Sequence, residues 1–277
     1  MQIPDPHYWL PLLRLALDED LGTPWKDLSA QLLTDQYATA SIKTREPMTL
    51  CGQCWVNESF KQLDNLVQIH WHHHDGDHID AHQIICTIEG NLKAILSAER
   101  TALNGLQTLS ATATTTQQYA AKIQHTQCKL LDTRKTLPGF RHLQKYAVQC
   151  GGGHNHRMGL FDAILLKENH LHAAGSMSNA LKNHSSIHVK WMIEVETQEE
   201  LKQALDHDIS HIMLDNFSLE QMQRAVQLNQ GKARLEVSGN VTLDTIQTIA
   251  ETGIDYVSVG ALTKHIQAID LSLTLSR

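Results

Sequence analysis

The sequence predicts an α/β protein whose second half is a short, incomplete barrel of parallel strands. Three observations carry that expectation. Six short apolar runs recur after Cys128, each closes on polar or glycine residues, and helical stretches separate the later ones. The runs are LLDTRKT from Leu130, ILLKENH from Ile164, WMIEVET from Trp191, HIMLDN from His211, RLEVSGN from Arg234 and YVSVGA from Tyr256. Continuous β-branched and apolar character suits strands covered on both faces, as in a parallel sheet.

The helices between them are marked by their ends. Thr197 with Glu200, and Ser218 with Gln221, have capping-box spacing ahead of LKQALDH and MQRAVQL. DTIQTIAET from Asp244 has helical apolar spacing and stops at Gly253. Alternating βα units with short connections imply right-handed crossovers. The six runs fill roughly half the length of a full eight-unit barrel, so an open sheet is the alternative. Functional-looking residues at all six run ends favour the short barrel.

Upstream, SAERTALNGLQTLSATATTTQQYAAKI reads as a long helix with an apolar stripe at Leu103, Leu106, Leu109 and Ala113. ATASIKTREPMTLCGQCWV and DGDHIDAHQIICTIEGNLKAIL alternate like strands, predicting a small β-rich layer over residues 38–96. The second segment is similar to the hairpin of biotinyl and lipoyl carrier domains, without the lysine that would carry the group.

Composition narrows the function. The 277 residues are 42% hydrophobic and 19% charged, a globular balance. A net charge of −7 argues against nucleic acid or an acidic membrane as the main partner, though not against a local cationic pocket. The start lacks a signal-peptide pattern and no run is long enough to span a membrane. Five scattered cysteines make a reducing cytoplasm the expected location.

Placed on the C-terminal rim of a barrel, the run ends collect Asp132, Arg134, Lys135, Lys167, Glu194, Glu196, Asp215, Ser238, Gly239 and Gly260. The loop CGGGHNHRMG, from Cys150 to Gly159, adds His154, His156 and Arg157. Two cations about 5–6 Å apart repel by roughly 3 kcal/mol at an effective dielectric of 20, so such a cluster expects carboxylates or an anionic ligand. Arginine beside the histidine pair disfavours a metal cation, and the loop reads as an anion cradle. SGN and VGA offer backbone N–H groups to a phosphate. Glu196 and Asp215 have the chemistry to hold sugar hydroxyls or a Mg2+ ion. Glu194 shares a strand face with Glu196, and the one nearer the strand end, Glu196, is the functional choice. HWHHHDGDHIDAH from His70 is tempting as a zinc site, but strand alternation spreads its histidines over two faces. CGQC at Cys51 has zinc or redox spacing without the βαβ context of a thioredoxin motif.

ERTALN at Glu99–Asn104, DTRKTLPGFRHLQKYAVQCGGGHNHRMGLFDAILLKENH at Asp132–His170, IMLDN and YVSVGAL resemble the quinolinate phosphoribosyltransferase family. The resemblance spans nearly the whole chain and is weakest before Ala38 and around residues 60–80. It implies a pentosyltransferase that makes nicotinate mononucleotide, pyrophosphate and CO2 from quinolinate and phosphoribosyl pyrophosphate, with Mg2+, in NAD biosynthesis. It also implies an N-terminal α/β sandwich over residues 1–108, completed by 265–277, and an incomplete six- or seven-stranded barrel over 109–264. A homodimer or larger assembly follows, with Arg100 entering the partner's site. Arg134, His156 and Arg157 match the family's quinolinate-binding residues, and Lys167 stands with them. Lys135, Lys167, Glu196 and Asp215 match residues that hold phosphoribosyl pyrophosphate and its metal. Ser238, Gly239, Gly260 and Ala261 match its 5′-phosphate loops. Asn240 stands where the family commonly has a further glycine, and WKDLS replaces a Gly-Asp-x-Thr turn.

Overall fold

The computed structural model describes residues 2–182 and 189–276. In chain order the first elements are α1 (Leu10–Leu21), β1 (Tyr37–Thr44), β2 (Met48–Thr49), α2 (Gln53–Leu63), β3 (Gln68–Trp71), β4 (His78–Ile79), β5 (Ile84–Asn91) and α3 (Leu92–Ile123). There follow β6 (Lys129–Leu131), α4 (Arg141–Cys150), β7 (Ala163–Leu166), α5 (Glu168–Ala174), α6 (Met177–Ala180), β8 (Lys190–Val195) and α7 (Gln198–Asp206). The last are β9 (His211–Asp215), α8 (Leu219–Asn229), β10 (Arg234–Ser238), α9 (Ile246–Ala250), β11 (Tyr256–Ser258), α10 (Ala261–Lys264) and β12 (Leu271–Leu275).

The chain divides into two compact units. The first comprises Met1–Gln117, Thr136–Gly152 and Leu262–Arg277, and the second Gln118–Lys135 and Gly153–Ala261. Residues 136–152, which the sequence reading assigns to the barrel, cluster with the first unit, as does the C-terminal segment from Leu262.

In the first unit an antiparallel sheet runs β12-β1-β5-β3, with Ala40 opposite Leu275 and Ile88. Ala40, Ile42, Ile85 and Ile88 from the sheet share a core with Ala98, Ala102, Leu103 and Leu106 of α3. Leu109 and Ala113 turn to a second core with Leu13 and Leu17 of α1 and Leu143 and Ala147 of α4. One stripe thus serves two cores. Burying each of its leucines contributes about 1.5–3 kcal/mol relative to exposure.

Two local expectations change. GNLKAIL is not strand beyond Asn91: the Asn91 side chain accepts hydrogen bonds from the Lys93 and Ala94 N–H groups and starts α3 at Leu92. The supposed carrier-like hairpin does not form either, because β4 pairs with β2 while β5 pairs with β1 and β3. At the altered turn WKDLS, Asp27 caps Ser29 and Ala30 and accepts from the Ser97 hydroxyl, so the carboxylate keeps a turn-forming role.

The second unit contains all six expected runs, as a parallel sheet in the order β6-β11-β10-β9-β8-β7. Beyond β6, Leu131 makes a parallel bridge to His154, with the His154 N–H donating to the Leu130 carbonyl at 2.8 Å. The HNHR loop is therefore zipped to the sheet margin. Both capping boxes are formed, on α7 and α8.

Candidate active site

Period two along each strand decides which side chains face the barrel interior. Leu165, Glu194, Met213, Asp215, Glu236, Ser238 and Ser258, from five strands, line a cavity of about 270 Å3 at the C-terminal ends. Thr133, Arg134 and Lys135 after β6, His156 and Arg157 from the loop, and Lys167 after β7 complete it. A second cavity, of about 360 Å3, occupies the opposite strand ends, where Lys129, Ala163, Lys190, His211 and Tyr256 begin their strands.

Arg134 and Arg157 thus share one wall-to-wall space. Burial lowers the Arg157 pKa below its ordinary value, the Arg134 charge adds to that, and Asp162 opposes it. An Arg157 guanidinium nitrogen donates to the Ala163 carbonyl at 3.0 Å, which fixes the head group against β7. Its backbone is held too. The fully buried Asp132 accepts the His156 N–H at 2.9 Å, and His156 Nδ1 accepts the Arg157 N–H at 2.7 Å. Lys167 Nζ donates to Glu194, and the Lys167 N–H donates to His170 Nδ1, so His170 is a helix-capping residue.

Glu236 is the unexpected member. It sits mid-strand on β10, fully buried, with His211 Nε2 at 2.6 Å and His156 Nε2 at 3.4 Å from the same oxygen. Burial alone would raise its pKa, but the two imidazoles outweigh it and bring the carboxyl to about 2. The signal was present in RLEVSGN: a charged residue inside an apolar run, in phase with Ser238.

Of the sequence-derived residues, Arg134, Lys135, His156, Arg157, Lys167, Asp215 and Ser238 meet in the cavity at the C-terminal ends. Glu194 lines it as well, whereas Glu196 lies past the end of β8, exposed, its N–H donating to Glu200 at 2.8 Å. The Glu196 pKa is raised, first by Glu168, then by slight burial and by Glu200, Asp215 and Glu194. Carboxylates are crowded at this edge.

Gly239 and Asn240 line a neighbouring hollow with Asn216 and Ser218. Gly239 has φ +96°, and a Cβ there would run into the Asn216 side chain, so glycine is required twice over. Asn240 takes φ +49°, a left-handed conformation that asparagine tolerates. The missing family glycine therefore leaves the backbone path intact. Gly260 lies against Lys135, where a Cβ would come within 3.0 Å of the lysine Cδ, and Ala261 opens α10. Arg100 is exposed on α3 in the first unit.

Among the described residues, one group of potential metal ligands converges: Cys51, Asp75 and Cys150, in the first unit. Asp75 is already committed, accepting from the Gly52 and Gln53 N–H groups and the Tyr146 hydroxyl. Burial pushes the Cys51 thiol well up and Cys54 to about 12, so both stay protonated packing groups. The histidines of residues 70–82 form no such group.

The C-terminal domain model of quinolinate phosphoribosyl transferase matches residues 112–274, and the N-terminal domain model matches 27–110. A probable nicotinate-nucleotide pyrophosphorylase (carboxylating) of Bacillus subtilis is 37% identical over 262 residues, 93% of this chain and 90% of that protein. A decarboxylating quinolinate phosphoribosyltransferase of Nicotiana tabacum is 34% identical over 286 residues, covering 95% of this chain and 81% of its own. The solved nicotinate-nucleotide pyrophosphorylase of Francisella tularensis superposes with a TM-score of 0.96 at 47% identity, over 100% of this chain and 99% of that one.

Proposed function

The chain belongs to the quinolinate phosphoribosyltransferase family, and from that premise we propose how its own residues divide the work. The reaction transfers the phosphoribosyl group of phosphoribosyl pyrophosphate to quinolinate with decarboxylation, giving nicotinate mononucleotide, pyrophosphate and CO2. The observation that carries the assignment is the convergence of Arg134 and Arg157 on one cavity.

Quinolinate is a dianion, and two guanidinium groups hold its carboxylates so that the ring nitrogen faces the anomeric carbon. His156 stands beside them. Lys135, Lys167 and Asp215 take the pyrophosphate and ribose end, and Ser238, Gly239, Asn240, Gly260 and Ala261 receive the 5′-phosphate. Attack by the ring nitrogen forms the N-glycosidic bond as the C–O bond to pyrophosphate breaks. The lysines stabilise charge growing on the leaving group, and Asp215 the oxocarbenium character of the ribose. The C2–carboxylate bond then breaks, CO2 departs, the electron pair stays at C2 stabilised by the adjacent pyridinium nitrogen, and a proton adds there.

Glu196 and Asp215 would hold Mg2+, and the crowding of carboxylates that raises the Glu196 pKa supports a divalent cation there. That ion would supply charge neutralisation on the diphosphate. The working unit is a homodimer in which Arg100 serves the partner's pocket. Five free cysteines support a reducing cytoplasm, and no described helix is long and apolar enough to cross a membrane. The test is to incubate the protein with quinolinate, phosphoribosyl pyrophosphate and Mg2+ and follow nicotinate mononucleotide and CO2. Product in equal amounts is expected, and a folded sample that forms none overturns the reading.

A further inference from the structure

Glu236 poses an electrostatic problem. A pocket built for a dianion has a fully buried carboxylate among its lining residues, and at neutral pH that carboxyl is ionised. Its charge is answered by two histidines. His211 and His156 direct Nε2 at the same oxygen, while the other oxygen, Oε1, has no hydrogen-bond partner among the described residues. His211 itself is locked, stacked on Tyr256 with ring centroids 5.3 Å apart and planes 3° from parallel.

His156 is the hinge of this array. Its Nε2 lies at Glu236, its Nδ1 accepts the Arg157 N–H, and its own N–H goes to Asp132. Nδ1 is engaged by the Arg157 N–H, Nε2 faces the Glu236 carboxylate at 3.4 Å, and 7% of the side chain is exposed. A ring so held places the neighbouring Arg157 and does not need to touch the substrate.

We infer that Glu236 and His211 are positioning residues for dicarboxylate recognition: through His156 they fix where Arg157 meets quinolinate. The inference rests on the quinolinate assignment above. It assigns a role to two residues whose contacts lead through His156 to Arg157, and it predicts an effect on quinolinate that phosphoribosyl pyrophosphate does not share.

The experiment compares wild type, Glu236→Gln, His211→Leu and His211→Gln by steady-state kinetics, with both substrates varied, and by calorimetric titration of quinolinate. Glu236→Gln keeps the shape and removes the charge. A rise of about tenfold in the KM for quinolinate is expected, with the KM for phosphoribosyl pyrophosphate within twofold of wild type. His211→Leu should move quinolinate alone by several-fold, and His211→Gln, which retains a donor, should recover most of that loss. The inference is overturned if the two KM values rise together, if quinolinate is unaffected by Glu236→Gln, or if His211→Leu and His211→Gln behave alike. Should Glu236→Gln not fold, the His211 pair decides by the same criteria. A wild-type protein that makes no nicotinate mononucleotide sinks the assigned reaction, whereas an active wild type with any of those variant results sinks only the array.

Discussion

The two cavities of the second unit are built from the same strands, and the larger one is not the proposed site. The cavity at the strand starts holds about 360 Å3 and carries Lys129, Lys190 and Arg157; that at the strand ends holds about 270 Å3 and carries Arg134, Lys135, Arg157 and Lys167. Both are cationic, so charge alone does not choose between them. Direction does. In a βα unit each strand's C-terminal end leads into a helix N-terminus, and the caps of α5, α7 and α8 at Lys167, Thr197 and Ser218 lie on that side. Helix N-termini and loop N–H groups favour anions there, while the opposite end receives helix C-termini. Size says little about which hollow does chemistry, and the polarity of the parallel sheet says much.

The sharpest way to break this contrast is to remove one arginine from the favoured end. Arg134→Ala, which lines the cavity at the strand ends and not the one at the strand starts, should raise the KM for quinolinate by about 30–100-fold, the cost of a lost charge-assisted pair, with the melting temperature little changed. Normal quinolinate binding in that variant would return the proposed site to the other cavity or to none.

A subunit-mixing experiment comes next in size. Arg100→Ala and Arg157→Ala chains, each nearly inactive alone, should regain roughly a quarter of wild-type activity when randomly paired as dimers. No recovery in verified mixed dimers would confine Arg100 to its own chain. Gly239→Ala should raise the KM for phosphoribosyl pyrophosphate by about tenfold and lower stability by about 1–3 kcal/mol, because the residue sits at φ +96° against Asn216. Equal effects on both substrates would separate that loop from phosphate recognition.

Acid gives a smaller signal of the same asymmetry. The Glu236 carboxyl is depressed from 4.5 to about 2 in the folded chain, so its contribution to stability is present above the unfolded value. It fades as pH falls from about 5 toward 2, on the order of 3 kcal/mol in all. Chemical denaturation across that range should show wild type losing stability faster than Glu236→Gln. At the far end, Lys190→Ala should leave both KM values within twofold. A larger effect would mean the cavity at the strand starts takes part after all.

The six strands of the barrel, both capping boxes and the meeting of Arg134 with Arg157 were legible, because period, caps and strand ends are local signals. Partner choice was not. Nothing in DGDHIDAHQIICTIEG says that β4 joins β2, since an alternating pattern specifies a face and leaves the neighbour open. The start of α3 is hidden for a related reason: LKAIL suits either period, and only the Asn91 cap decides it. Residues 136–152 follow a barrel strand yet pack Leu143 and Ala147 against α1, a three-dimensional fact with no sequence marker. Glu236 alternates with Ser238, but a charge in mid-run carries no strand-end position to mark it as part of the site.

The Leu131–His154 bridge has a consequence for motion. A segment rich in glycine would ordinarily be a tether whose ordering opposes ligand capture, but here its amide is fastened to the barrel margin beforehand. The His154 and Asp132 amides should accordingly exchange with deuterium as slowly as those of the neighbouring strands before any substrate arrives. Recognition at this edge then resembles closing a hand on a fixed rail.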